Sequence, residues 1–286
     1  MNEEKENHSA KKPWMVKTIE VVSEVSKVAG VRPWAGIFVV EIQEDILADE
    51  FTFEALMRTL PLASQARILN KKSFHDKCSS LCSQLLQLFG CSIVTGLNFQ
   101  ELKFNKGSFG KPFLDNNRFL PFSMTIGEQY VAMFLVKCVS TDEYQDVGID
   151  IASPCNYGGR EELELFKEVF SEREFNGLLK ASDPCTIFTY LWSLKESYTK
   201  FTGSGLNTDL SLIDFGAISF FPAEGASMCI TLDEVPLIFH SQWFNNEIIT
   251  ICMPKSISDK INTNRPKLYN ISLSTLIDYF IENDGL

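Results

Sequence analysis

Two short stretches hold the side chains that could do chemistry. In WSLKESYTK, 192–200, Glu196 stands four residues after Trp192 and four before Lys200. At helical period the three share one face. Such a carboxylate and ammonium are either a surface ion pair beside a buried tryptophan, worth about 0.2–0.5 kcal/mol, or a base and a cation set against a common substrate. In VGIDI, 147–151, Asp150 lies between Ile149 and Ile151. Strand alternation sends the isoleucines to one face and the carboxylate to the other. A carboxylate inside an apolar strand is costly unless it is paired or bound to a cation. The competing reading is an N-cap or turn aspartate past a strand end. As a ligand, Asp150 suits Mg²⁺, which takes one or two carboxylates and fills its shell with water and phosphate oxygens. Glu196 is the candidate second ligand.

A phosphate-bearing substrate needs cations. The chain is acidic overall, with a net charge of −11, which argues against nucleic acid as its main partner. Between 67 and 111, however, Arg67, Lys71, Lys72, Lys77, Lys103, Lys106 and Lys111 outnumber Asp76 and Glu101, seven minus two, or +5. One basic segment in an acidic protein is either a solvated face or a local polyanion site. KGSFGKP, 106–112, adds glycines that let backbone approach a ligand between two lysines. It is not a phosphate-binding P-loop, because GxxxxGK[ST] is absent.

The elements that must position these residues follow from periodicity. GIFVVEI (36–42), FLVKCV (134–139) and VGIDI read as strands, as do AISFF (217–221), MCITL (228–232), PLIFH (236–240) and IITICM (248–253). Residues 64–89 and 160–180 read as amphipathic helices. Residues 184–201 form a third helix, with Pro184 in its first turn and Gly203 past its end. A short helix is expected around 272–282. Helices grouped apart from short antiparallel strands indicate an α+β fold. GLN recurs at Gly96–Asn98 and Gly205–Asn207, each after a long helix, a faint sign of two similar halves.

At 286 residues and 45% hydrophobic, the chain can bury one large core or two medium ones. Its charged start, MNEEKENHSAKK, lacks the apolar region of a signal peptide, and no run is expected to span a membrane. The eight cysteines contain no CxxC pair, and Cys78 and Cys82 read as core thiols. A reduced, cytoplasmic protein is expected. His8, His75 and His240 are far apart, which disfavours histidine-centred catalysis.

VGIDI followed by WSLKESYTK closely resembles the signature of the Sfp-type 4′-phosphopantetheinyl transferases, G-[IV]-D and then W-x-x-K-E-[SA]-x-x-K forty to fifty residues later. FSERE (170–174), GKP (110–112) and the GSGL after the helix are also family-like. The similarity runs from about residue 30 to 255 and is strongest to eukaryotic, fungal-like members that activate aminoadipate reductase in lysine biosynthesis. It implies two similar α+β halves about a pseudo-twofold axis, with coenzyme A and Mg²⁺ between them. The implied layout is a tail (1–15), an N-terminal half (16–145), a C-terminal half carrying the metal and catalytic motifs (146–262) and an extension (263–286). Two internal halves substitute for an oligomer's symmetry, so a monomer is expected.

The resemblance also implies the reaction. The phosphopantetheine arm of coenzyme A moves to a serine of an apo carrier domain, of aminoadipate reductase or fatty-acid-synthase type, leaving adenosine 3′,5′-bisphosphate. Asp150 and Glu196 hold Mg²⁺, Glu196 is the base, and Lys200 serves the leaving phosphate. Lys71 or Lys72 binds the 3′-phosphate, and Lys106 and Lys111 bind phosphates around GKP. FSMT, 122–125, stands for the F-N-x-S-H segment, which assigns Ser123 and Thr125 to the phosphates. Lys195, about 100° from Glu196 around the helix, contacts another part of coenzyme A or the carrier. Trp192 packs to orient the helix. Two residues depart from the pattern: Ile126 replaces a phosphate-contacting histidine, and Ala152 replaces the second carboxylate of bacterial members. These departures leave a non-catalytic coenzyme A or carrier-binding module as the alternative class.

Overall fold

The computed structural model describes residues 23–25, 33–115, 120–138, 146–154, 158–159, 163–261 and 265–283. Strand β1 (Trp34–Glu41) leads through helices α1 (Glu44–Leu47), α2 (Glu50–Arg58) and α3 (Leu62–Leu69) to the long α4 (Phe74–Thr95). The hairpins β2 (Phe104–Lys106)–β3 (Pro112–Leu114) and β4 (Phe122–Ile126)–β5 (Tyr130–Lys137) follow. The second half runs β6 (Gly148–Ala152), α5 (Glu172–Lys180), α6 (Pro184–Thr202), β7 (Ala226–Leu232), β8 (Val235–Phe244) and β9 (Glu247–Pro254). Then come α7 (Lys255–Ile261), β10 (Lys267–Ile271) and α8 (Leu273–Asn283).

One plan is used twice. The two four-stranded sheets have the orders β10-β1-β5-β4 and β6-β9-β8-β7. In each half a first strand precedes a long helix and a hairpin. The hairpin's second strand then pairs antiparallel with the first strand, β5 on β1 and β9 on β6. This is the α+β arrangement expected. Both long helices end on a left-handed glycine, Gly96 (φ 75°) and Gly203 (φ 73°), where an L side chain would be strained. The equivalent glycine is therefore Gly203. The second GLN, at 205–207, is itself a 3₁₀ turn, so the tripeptide repeat is two residues out of structural register.

Strands β1, β5, β6 and β9 are buried on both faces. Trp34, Phe38 and Val40 of β1 pack toward α4, with Val131, Met133 and Leu135 of β5. Ala35, Ile37 and Val39 face the other way, onto Ile149 and Ile151 of β6 and Ile249 and Ile251 of β9. The two sheets thus stack through an aliphatic layer, and each carries its long helix on its outer face. By length and mean hydropathy α4 qualifies as a membrane span, against the expectation of none, yet 72% of its apolar window is buried in this core.

The stretch expected as a C-terminal extension completes the first half. β10 pairs parallel with β1, Gly36 opposite Lys267, and Leu273, Leu276 and Phe280 of α8 enter the α4 core. The sequence reading missed β10. It also ran helices together. Ser73 caps α4 by accepting from the Asp76 N–H, which separates α4 from α3. Ser171 and Glu174 form a capping box that starts α5 afresh after a 3₁₀ segment, Leu163–Val169. AISFF pairs with no described strand, because β7 ends its sheet and residues 217–220 lie largely toward solvent.

Candidate active site

The site lies where the edge strands β4 and β6 of the two sheets meet under α6. Helix α6 is fixed at its start by Asp183, whose carboxylate accepts from the Thr186 N–H, with Pro184 in the first turn. Gly148 lets it settle on β6. A Cβ there would stand 1.9 Å from the Ser197 carbonyl oxygen and 2.8 Å from the Phe201 nitrogen, both backbone atoms that cannot swing away. The glycine of the G-I-D motif is therefore a close-approach residue. It brings Glu196 and Lys200 over Asp150, which points away from the inter-sheet layer as alternation required.

Three side chains from three elements interlock. Lys200 Nζ donates to Asp150 Oδ1 at 2.6 Å and to Thr125 Oγ1 at 2.8 Å, and the Thr125 hydroxyl donates to Asp150 Oδ1 at 3.1 Å. Asp150 is 5% exposed, and its Oδ2 is buried with no hydrogen-bond partner. Burial raises the Glu196 carboxyl above its ordinary range; the Asp150 charge adds to this and Lys200 opposes it. Two carboxylates that disfavour each other's charge, one with a buried unpaired oxygen, suit a hard divalent cation. Among the described residues no three His, Cys, Asp or Glu gather as a metal set. Water and substrate oxygens would fill the remaining positions, as Mg²⁺ accepts.

A cavity of about 830 Å³ opens in the N-terminal half, lined by Arg67, Lys71 and Lys106 and walled by Met124 and Ile126 of β4. Strand β4 is its link to the acidic site: Thr125 points to Asp150, while its neighbours on either side face the cavity. Ser123 is buried, at the alternate position from Thr125. Ile126, where a histidine was expected, presents an apolar wall and is 47% exposed. Lys72 is exposed and does not line the cavity.

Two lysines expected at the ligands, Lys195 at another part of coenzyme A or at the carrier and Lys111 at a phosphate, are spent elsewhere. Lys195 is 0% exposed. Its ammonium donates to Glu174 Oε2 at 2.8 Å, to the Leu210 carbonyl at 2.9 Å and to the Ile213 carbonyl, which uses all three N–H groups. Phe170 and Phe215 flank it. FSERE therefore supplies Phe170 and Glu174 as a seat for Lys195, and neither coenzyme A nor a carrier can reach that side chain. Lys111 is likewise saturated, by Asp146 at 2.9 Å and by the carbonyls of Val147 (2.9 Å) and Phe201 (3.2 Å). It ties the β2–β3 loop to the start of β6 and caps the end of α6.

Trp192 packs as expected, stacked on Phe188 and edge-on to Phe166. With Ala152, Ser153 and Thr189 these rings line a small apolar pocket of about 200 Å³ beside the acidic site. The missing second carboxylate is thus a pocket wall. The sequence singled out FSERE without a role for Glu174, and Glu247 was overlooked. Glu247, 1% exposed, opens the apolar strand β9, and the argument that singled out Asp150 would have found it.

Residues 146–252 match the model of the 4′-phosphopantetheinyl transferase superfamily. The chain is 98% identical over 272 residues to the L-aminoadipate-semialdehyde dehydrogenase-phosphopantetheinyl transferase of Saccharomyces cerevisiae, covering 95% of this chain and all of that one. The protein of the same name from Candida glabrata is 35% identical over 227 residues, covering 78% of this chain and 84% of that one. The 4′-phosphopantetheinyl transferase Sfp of Bacillus subtilis is 30% identical over 116 residues, 40% of this chain and 47% of that one.

Proposed function

The chain belongs to the 4′-phosphopantetheinyl transferase superfamily and is a phosphopantetheinyl transferase, and on that premise we propose that it activates the carrier domain of aminoadipate-semialdehyde dehydrogenase, the aminoadipate reductase of lysine biosynthesis. In this reading a serine hydroxyl of the apo carrier attacks the coenzyme A phosphate that bears the pantetheine arm. The new bond is serine O–P, the bond to the other phosphate breaks, and adenosine 3′,5′-bisphosphate leaves. One observation carries the proposal: Asp150, clamped by Lys200 and Thr125, keeps a buried unpaired oxygen beside Glu196.

Asp150 and Glu196 would hold Mg²⁺, which supplies neutralisation of the pyrophosphate charge. Glu196 takes the serine proton. Its raised pKa makes it a stronger base than an exposed glutamate. Lys200 uses two of its three N–H donors on Asp150 and Thr125, and the third serves a leaving phosphate oxygen. The nucleotide end, with its 3′-phosphate, lies in the cavity bearing Arg67, Lys71 and Lys106, whose volume suits a ligand of that size. The apolar pocket at Trp192 and Ala152 accommodates the pantetheine arm.

Cys78, Cys82, Cys91, Cys229 and Cys252 are free thiols, which supports a cytoplasmic enzyme. Both halves contribute to one site, which supports a monomer. The direct test is chromatography of the nucleotide product. Adenosine 3′,5′-bisphosphate should accumulate one for one with apo carrier, and only with Mg²⁺ present. Coenzyme A left intact with both aminoadipate-reductase and fatty-acid-synthase carriers would overturn the reading.

A further inference from the structure

The β4–β5 and β8–β9 hairpins hold equivalent places in the two halves, and their tips are fastened to each other. Glu247, the first residue of β9, reaches across to the other sheet. Its Oε1 accepts from the backbone N–H groups of Glu128 (2.9 Å) and Gln129 (3.1 Å), the tip of the β4–β5 turn. Asn245 in the β8–β9 turn donates to the Tyr130 hydroxyl at 2.6 Å, and Phe244 packs edge-on against the Tyr130 ring. Ser153, just past β6, donates to Glu128 Oε2 at 2.9 Å.

We propose that Glu247 is a positioning residue for coenzyme A: it pins the β4–β5 tip to the second sheet and so holds β4 where Thr125 meets Asp150 and Met124 and Ile126 wall the nucleotide cavity. Glu247 shares the strand face of Ile249 and Ile251, opposite to Asp150's, so it acts through β4 and is no ligand of the acidic site. Two N–H groups of the exposed turn have this buried carboxylate as their acceptor, and removing it frees the tip from the second sheet. The fit is tight. A Cβ at Gly127 would stand 2.7 Å from Glu247 Oε2 and 2.8 Å from Ile151 Cγ2. What the latch requires is an acceptor oxygen, so an amide of the same shape should serve.

The inference rests on the coenzyme A reading above, and calorimetric titration of coenzyme A into the full-length protein separates the two. Failure of the unmodified protein to bind overturns that reading and this one with it. If it binds, Glu247→Ala should raise Kd about tenfold and raise KM for coenzyme A while leaving KM for the carrier unchanged, and Glu247→Gln should stay within twofold. Glu247→Ala within twofold in Kd, or Glu247→Gln as impaired as Glu247→Ala, overturns the latch. Should Glu247→Ala not fold, Gly127→Ala pushes the same tip from the other side. It should raise Kd at least fivefold, and an unchanged Kd contradicts the proposal.

Discussion

Lys195 Nζ and Glu174 Oε2 lie 2.8 Å apart with neither side chain exposed, and Lys195 directly precedes Glu196 on α6. Removing one partner of a buried pair leaves the other charge uncompensated and costs about 3–5 kcal/mol. Lys195→Met and Glu174→Gln should each lower stability by that amount in urea unfolding. The double variant Lys195→Met/Glu174→Leu should recover part of the loss. Coenzyme A KM, measured on the folded fraction, should not change in any of them.

That pair marks what the sequence could convey. VGIDI announced its own geometry, because strand alternation is local: Ile149 and Ile151 entered the inter-sheet layer and Asp150 turned to the helix. Helix 184–202 announced its ends through Pro184 and Gly203. Which of two lysines on that helix serves the site was not local. Lys195 is settled by Glu174 on α5 and by carbonyls at 210 and 213, and Lys200 by residues on two strands. Lys111 is the same case, a cation in a phosphate-like loop claimed by distant carbonyls. β10 was hidden because its alternation becomes meaningful only once it pairs with β1, more than 200 residues earlier.

Lys111→Met keeps the aliphatic stem but strands the Val147 and Phe201 carbonyls and Asp146. A stability loss of about 1–3 kcal/mol is expected, with KM for coenzyme A within twofold of the parent. A large rise in KM at unchanged melting temperature would return Lys111 to the phosphate site.

Gly148→Ala would set a methyl group against the Ser197 carbonyl at 1.9 Å. The contact is backbone on backbone and cannot be relieved by a rotamer. A destabilisation of at least about 3 kcal/mol is expected, together with loss of transfer as α6 lifts from β6. Parent-like melting and activity would show that α6 does not rest on β6 through this glycine.

His240 is buried, with Nδ1 bonded to Ser227 at 2.7 Å, and burial, aided by Arg265, lowers its pKa from 6.5 to about 4. The unfolded chain therefore binds this proton more readily than the folded one between those values. Stability from this group is complete above pH 6.5 and falls as pH drops toward 4, by about 3 kcal/mol at full extent. Denaturant midpoints measured from pH 7 to 4.5 should fall more steeply for the parent than for His240→Leu. Parallel slopes would show that His240 does not carry this dependence.

The central claim is that Asp150, Glu196 and Lys200 form the centre that transfers phosphopantetheine. Intact-mass spectrometry of the apo carrier domain of aminoadipate-semialdehyde dehydrogenase, after incubation with coenzyme A, Mg²⁺ and this protein, tests it most directly. The account predicts a gain of one phosphopantetheinyl group. With Glu196→Gln or Asp150→Asn the rate should fall about 10²–10⁴-fold, with the fold retained by circular dichroism. Modification by either variant at the parent rate, with unchanged Mg²⁺ dependence, would contradict it.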